Sequence, residues 1–325
     1  MNEKIDFVIT WVDGNDEEWR NLRDSYNSNL GDSRNIRFRE WDLLRYWFRG
    51  VEKFAPWVNR IHFVTCGHLP EWLNINHPKL HIVNHKDYIP EKYLPTFNSH
   101  TIELNLHRIE ELEERFVYFN DDVFLINKVK PEDFFVDGLP CDIGVLGCIS
   151  PGDKIVSNVV LNNLQIINKY FNKESYVNDG WWHAFNWCYG KNIIRTILLC
   201  PFRKHTGFFD HHLCVSFNKE TFKKVWLAEN ELLHKTCSNK FRSRNDVSPW
   251  LVRYWQIASC SFYPHKVLGK YFVIGDRNLV RFISRQEGKI VCCNDIDENI
   301  DFEVYKNELQ CVFEMILPDK SKFEK

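Results

Sequence analysis

Two apolar runs that stop on acids constrain this chain more than any other feature. Residues 5–12 (IDFVITWV) form the first, broken at once by Asp13-Gly14-Asn15-Asp16. Residues 116–119 (FVYF) form the second, broken by Asn120-Asp121-Asp122. A run apolar at successive positions is what a strand covered on both faces requires. Two more runs lie between them, at 60–65 (RIHFVT) and 80–83. Helical patterning fills the intervals at 17–30, at 41–54 up to Ala55-Pro56, and at 99–114, where Asn98 or Ser99 is a fitting N-cap. This alternation predicts a mostly parallel sheet with helices on its faces, an α/β fold. Ligands gather beyond the carboxyl ends of such strands. Asp13 and the Asp121-Asp122 pair are therefore expected at one edge of one sheet.

The second half reads as more helical, with helices at 161–171, 192–199, 220–232, 249–259 and 302–316 and short strands at 270–274 and 289–293. No repeat or low-complexity linker interrupts it. A length of 325 residues allows two domains or one large α/β domain with an added lobe. The division is drawn at Ser150-Pro151-Gly152-Asp153, giving a core at 1–150 and a helical lobe at 151–325 packed on it. The 42 basic and 44 acidic residues nearly cancel, which argues against a nucleic-acid partner. The 11 cysteines include no C-x-x-C pair and read as reduced thiols of a cytosolic protein. The start, Met1-Asn2-Glu3-Lys4, lacks the layout of a signal peptide, and no apolar run reaches the ~18 residues of a membrane span. A membrane-bound substrate would be met from the surface. The 12 tryptophans suit a sugar or nucleotide site and a core equally.

The acids have competing readings. Asp121-Asp122 is either a solvated turn or a pair whose repulsion is offset by a hard divalent ion shared with phosphate oxygens. Asp13, beside the turn-forming Gly14, is either part of a strand-to-helix turn or an acceptor for a ribose or uracil group. If a helix starts near Ser99, then His100, Glu103 and His107 share one face; such a stripe is a solvated face or a site. His211-His212 and the basic block Lys240-Phe241-Arg242-Ser243-Arg244-Asn245-Asp246 are surface features, or a histidine and a phosphate-clamping arginine. Paired acids, an Arg and a His are the set that phosphoryl chemistry needs.

These motifs also carry a resemblance. WVDGND at 11–16, EKFAPWV at 52–58, LPTFNSH at 94–100, LHRIE at 106–110, FNDDVF at 119–124, KFRS at 240–243 and LPDKSKFE at 317–324 together resemble the Stealth family, in order and over nearly the whole chain. That family includes bacterial capsular and cell-surface polysaccharide phosphotransferases and the catalytic subunit of the animal lysosomal-enzyme N-acetylglucosamine-1-phosphotransferase. The resemblance implies a Rossmann-like (GT-A-like) core with a helical C-terminal addition. It implies transfer of a sugar 1-phosphate from a nucleotide sugar to a glycan hydroxyl, with release of UMP. It matches Glu103, Asp122, His212 and Arg242 to catalytic positions, and Asp121 with Asp122 to Mg²⁺ or Mn²⁺. It assigns substrate contacts to Asp13, Gly14, Arg45, Asn98, His100 and Asp246. Cys66, Thr101 and Cys214 depart from the expected pattern without removing a charge.

On this reading an acceptor hydroxyl attacks the β-phosphorus of the donor. Glu103 or His212 takes its proton, or His212 forms a phospho-enzyme intermediate. The acceptor implied is a glycan on a lipid carrier, met by a cytoplasmic protein at the inner face of a bacterial membrane. A metal-dependent glycosyltransferase releasing UDP is the alternative enzyme. A non-catalytic carbohydrate-binding protein is the alternative from another class.

Overall fold

The computed structural model describes residues 4–26, 39–152, 154–295 and 300–325. Its strands, in chain order, are β1 (Asp6–Thr10), β2 (Ile61–Thr65), β3 (Leu80–Asn84), β4 (Arg115–Phe119), β5 (Val123–Leu125), β6 (Phe135–Val136), β7 (Leu139–Asp142), β8 (Val215–Asn218), β9 (Tyr263–Pro264), β10 (Gly269–Val273) and β11 (Ile290–Asn294). The central sheet runs β3-β2-β1-β4-β8. The first four strands are parallel and β8 closes the sheet antiparallel against β4. The expected α/β fold with a mostly parallel core is therefore present.

Residue alternation explains why the parallel strands are apolar throughout. Phe7, Ile9, Ile61, Phe63, Val117 and Phe119 enter one core, while Val8, Val64, Phe116 and Tyr118 enter the other. Each strand feeds both faces, so neither face tolerates polar residues over much of its length.

β1 and β4 are neighbours at the centre, while the chain leaves β1 toward β2 on one side and reaches β4 on the other. That is the switch point at which α/β sheets open a crevice. A second sheet, β10-β11-β5, hangs from the end of β4 through the Asn120–Asp122 turn. The third, β6-β7-β9, lies further along the chain. Residues on both sides of position 150 thus share sheets.

Three expectations change. The helix drawn at 99–114 ends at Leu104 and a 3-10 turn, Leu106–Arg108, follows. Asn105 stops it by turning its side-chain amide back to the Thr101 carbonyl at 2.8 Å, the back-bonding that competes with helix continuation. The segment at 220–232 divides into Lys219–Ala228 and Asn230–Ser238, because Glu229 (φ −128, ψ 42) leaves helical geometry. The strands β5 to β9 were not anticipated. The helix from 17 is described as Glu17–Tyr26; its expected end at 30, and Asp153 of the division, lie outside the described residues.

Candidate active site

The carboxyl ends of β1, β2 and β4 carry the polar groups. After β1, the Asp13 backbone N–H donates to Nδ1 of His68, which follows β2, at 3.1 Å. Asp13 Oδ1 accepts from the Asn15 N–H at 2.8 Å, shaping the turn through Gly14. Asp16 then caps the next helix by accepting from the Trp19 N–H at 2.6 Å. A cavity of about 260 Å³ opens here, lined by Trp11, Asp13, Glu40, Arg45, Glu71 and Trp72. The Arg45 guanidinium lies 5.8 Å from the Trp72 ring centre. Another hollow, about 40 Å³ around Cys141, Asp142 and His211, is too small for a nucleotide.

Four acids are electrostatically linked beside this cavity. Glu103 is buried, and burial raises its carboxyl to about 7 against the pull of the Arg242 charge and of a hydrogen bond with Ser99. Asp121 is exposed, yet the protein around it and then the adjacent Asp122 charge push its carboxyl up. Asp122 is raised by burial to about 6. Glu40, absent from the sequence reading, is raised to about 7, chiefly by burial and in part by the charges of Asp121 and Asp42. It accepts from Trp11 Nε1 at 2.7 Å. Arg242 acts on both Glu103 and Asp121 and is held by two bonds to Ser99 Oγ.

The second sheet fixes Asp122. The Cys293 N–H donates to its backbone carbonyl at 2.8 Å, and Cys292 Sγ donates to its Oδ2 at 3.4 Å. Burial, then the Asp122 charge, pushes the Cys292 thiol far up, so it stays a proton donor. Tyr118 braces the turn by donating to Asn120 Oδ1 at 2.8 Å.

Asp246 is fully buried and joins the basic block to the Ser99–Leu104 helix. Its Oδ2 accepts from Asn98 Nδ2 at 3.0 Å and from the Ser243 N–H at 2.8 Å; its Oδ1 accepts from Asn239 Nδ2 at 2.6 Å. His100 Nδ1 is 3.5 Å from Oδ2. Asn98 also caps the helix, its Oδ1 accepting from the His100 N–H at 3.1 Å. Asp246 and Asn98 thus turn their polar atoms to each other and tie the block that carries Arg242 to the helix that carries Glu103.

The histidines separate by environment. His107 leaves the expected stripe: with the helix ended at Leu104, it packs beside Phe222 and Trp226, and burial lowers its pKa to about 3. His211 sits 3.7 Å from Asp142, which Arg253 holds far below the usual carboxylate range against the opposing pull of burial. His205 is buried beside Tyr176 and Phe208. His212 is exposed at φ 51, with its ring 5.1 Å from that of Tyr271. Tyr271 in turn feels the Asp122 charge. His212 is thus linked to the acid pair only indirectly, through Tyr271.

Among the described residues no three His, Cys, Asp or Glu side chains group to hold an ion by themselves. Asp122 Oδ1, however, is buried without a hydrogen-bond partner. An orphaned carboxylate oxygen beside a second carboxylate fits a hard divalent ion that takes its remaining ligands from phosphate and water. Of the residues the sequence did not single out, Cys292 and Glu40 carry no local signal, being recruited from β11 and from a loop. Tyr118 belongs to the apolar run 116–119 that ends on the acid pair.

The family model described as Stealth protein CR1, conserved region 1, matches residues 3–31, and Stealth protein CR2, conserved region 2, matches residues 37–141. A capsular polysaccharide phosphotransferase, WcwK, from Streptococcus pneumoniae is 41% identical over 330 residues, covering 99% of this chain and 98% of the relative. The exopolysaccharide phosphotransferase cps2G of Lactiplantibacillus plantarum is 40% identical, covering 99% of this chain and 96% of the relative. The receptor polysaccharide phosphotransferase WefC of Streptococcus gordonii is 39% identical, covering 100% of each. Among solved structures, the galactosyltransferase LgtC in complex with donor and acceptor sugar analogs has a TM-score of 0.40 at 10% identity, covering 94% of this chain and 95% of that one. The apo bifunctional glycosyltransferase WbbM has a TM-score of 0.38 at 11% identity, covering 96% of this chain and 50% of that one.

Proposed function

The chain belongs to the Stealth family and is a phosphotransferase of polysaccharide synthesis, and from that premise we propose its reaction: transfer of a sugar 1-phosphate from a UDP-hexose or UDP-N-acetylhexosamine to a glycan hydroxyl. One observation carries this reading. Arg242 bonds to Ser99 on the helix that carries Glu103 and its charge acts on both Glu103 and Asp121, so a phosphate clamp, a base and a cation-binding carboxylate share one electrostatic cluster.

The acceptor oxygen attacks the β-phosphorus. A new P–O bond forms, the bond to UMP breaks, and the hydroxyl proton passes to Glu103. A carboxylate raised to about 7 suits that task, because a base is most effective with its pKa near the working pH. Arg242 holds the transferring phosphoryl oxygens through its guanidinium fork. Mg²⁺ or Mn²⁺ held by Asp121 and Asp122 would neutralise charge on the diphosphate and the departing UMP. Asp13 and Arg45, with Trp72, line the cavity that would receive the nucleotide, and Gly14 makes the turn beside Asp13. His212 is the second candidate for the proton, and the one available for a phospho-enzyme intermediate. The acceptor is a growing glycan on a lipid carrier, reached from the inner face of the membrane.

The test is ³¹P NMR of the protein with a panel of UDP-sugars, Mg²⁺ and a glycan acceptor. A new phosphodiester resonance with stoichiometric UMP is expected. Release of UDP, with a product free of phosphorus, would instead show cleavage of the C1–O bond and a glycosyltransferase.

A further inference from the structure

Residues 181–204 form a surface that the proposed reaction does not use. The helix Trp181–Ala184, the 3-10 turn Trp187–Asn192 and the helix Ile193–Leu199 follow one another here. The last helix has two unlike faces. Thr196 is buried, its hydroxyl accepting from the Leu146 N–H at 3.1 Å, and Ile193 packs on a small core of Ile143, Val145 and Tyr189. Ile194, Ile197 and Leu198, spaced i, i+3 and i+4, share the other face and are 58%, 57% and 68% exposed. Trp181 and Trp187 are 61% and 91% exposed, and Trp182 and Phe202 are exposed as well.

Single exposed apolar side chains need no account, but a concentration of them does. Of the 16 large hydrophobic side chains exposed among the described residues, seven fall in this one stretch. The charges around them have one sign. Lys191, Arg195, Arg203 and Lys204 are exposed, and no Asp or Glu occurs from 181 to 204, in a chain whose net charge is −2. Contact with a second copy through this surface would bring four cations against four. An anionic surface with an apolar interior meets both features. Tryptophans sit at headgroup depth, an amphipathic helix lies in the interface plane, and basic side chains reach the phosphates.

We infer that 181–204 is a docking surface for an anionic lipid bilayer, on which the protein lies without crossing it. Among the described residues no helix is long and apolar enough to span a membrane, so the attachment is interfacial. Its purpose rests on the proposal that the acceptor is carried by a lipid; its existence is tested apart from that proposal.

The test uses the full chain and vesicles of phosphatidylcholine with or without phosphatidylglycerol, free of donor and acceptor. Co-sedimentation with the anionic vesicles is expected, weakened by salt and by the pair R203Q and K204Q. The triple variant W187S, I197S and L198S should lower partition by roughly tenfold or more, since three apolar side chains leave the bilayer. Its melting temperature and its UMP release with a soluble oligosaccharide acceptor should match the parent. No binding by the parent, or equal binding by the triple variant, overturns the inference. So does a concentration-dependent dimer that the triple variant abolishes while the parent ignores vesicles. Because the vesicles lack substrate, failure here leaves the phosphotransfer reading standing, and failure to release UMP leaves the vesicle result standing.

Discussion

At the scale of single residues, the acids that end strands were legible, while Glu40 and Cys292 beside them were not. Asp13 and Asp121-Asp122 were readable because each ends an apolar run. Cys292 supplies the proton that Asp122 accepts, yet it lies 170 positions away, and no local pattern announces it. Two predictions belong here. Asp122→Asn keeps the side-chain volume and removes the charge beside the orphaned Oδ1. Turnover should fall at least about a thousandfold, the order expected when a main source of charge stabilisation is lost, with the circular dichroism spectrum unchanged. Near-normal turnover would remove Asp122 from the cation site. Glu103→Gln should lower kcat by about 10²–10⁴-fold and flatten the fall in activity below pH 7 that the parent shows. If that fall persists in the Gln variant, the base is elsewhere, with His212 next in line. The same variant has a stability signature. Glu103 is raised from 4.5 to about 7 by folding, so its contribution is full below 4.5 and is lost as pH rises through 7. Glu103→Gln should therefore melt above the parent at pH 8, with the gap closing toward pH 5.

At the scale of elements, the sequence pattern narrowed the cap to Asn98 or Ser99, of which Asn98 is the cap, but did not reveal the length of the helix. Apolar periodicity continues past Leu104, and only the back-bond from Asn105 to Thr101 ends the helix, an effect that no period reveals. β8 was missed for another reason: Val215–Asn218 alternates apolar with polar residues and shows no apolar run, and its place is set by pairing with β4. The helix Ser99–Leu104 is short, and its orientation comes from Asp246, which ties Asn98 to Asn239 and the Ser243 backbone. Removing that carboxylate leaves several buried donors without an acceptor. Asp246→Ala should cost about 3 kcal/mol in urea unfolding, at ~1–3 kcal/mol per unsatisfied buried group. It should also depress kcat, because Arg242 and Glu103 are held through the same joint. Asn98→Ala, which loses the cap and one of these donors, should cost less, about 1–2 kcal/mol. An unchanged unfolding midpoint for Asp246→Ala would show that the joint is dispensable.

At the scale of the whole molecule, residues 323–325 reach back to the rim of the cavity beside Asp13. Arg49 is buried on the helix Leu44–Phe54 and donates in parallel to Glu324, at 2.8 Å to Oε1 and 3.0 Å to Oε2. The Phe323 carbonyl accepts from the Asn74 N–H at 2.8 Å, and the Lys325 N–H donates to the Trp72 carbonyl at 2.9 Å. Pro70, Glu71 and Trp72 form part of the cavity wall, so this tail stitches that wall to the core. Glu324→Ala cuts the main stitch. Breaking a buried pair typically costs ~3–5 kcal/mol. Here Arg49 keeps Glu314 and the Leu317 carbonyl, each at 2.9 Å, so about 2 kcal/mol is expected on the same reasoning. The functional effect should fall on binding rather than on the chemical step. Trp72 and the Arg45 beside it lose their fixed backing, while Glu103, Asp122 and Arg242 lie on other elements. KM for the donor sugar should rise roughly fivefold with kcat within about twofold, the pattern of lost uniform binding. Steady-state kinetics on Glu324→Ala, beside a urea melt, reads both quantities. Lost stability with an unchanged KM would confine the tail to bracing the core. A fall in kcat equal to the rise in KM would mean that the wall and the acid cluster move as one body.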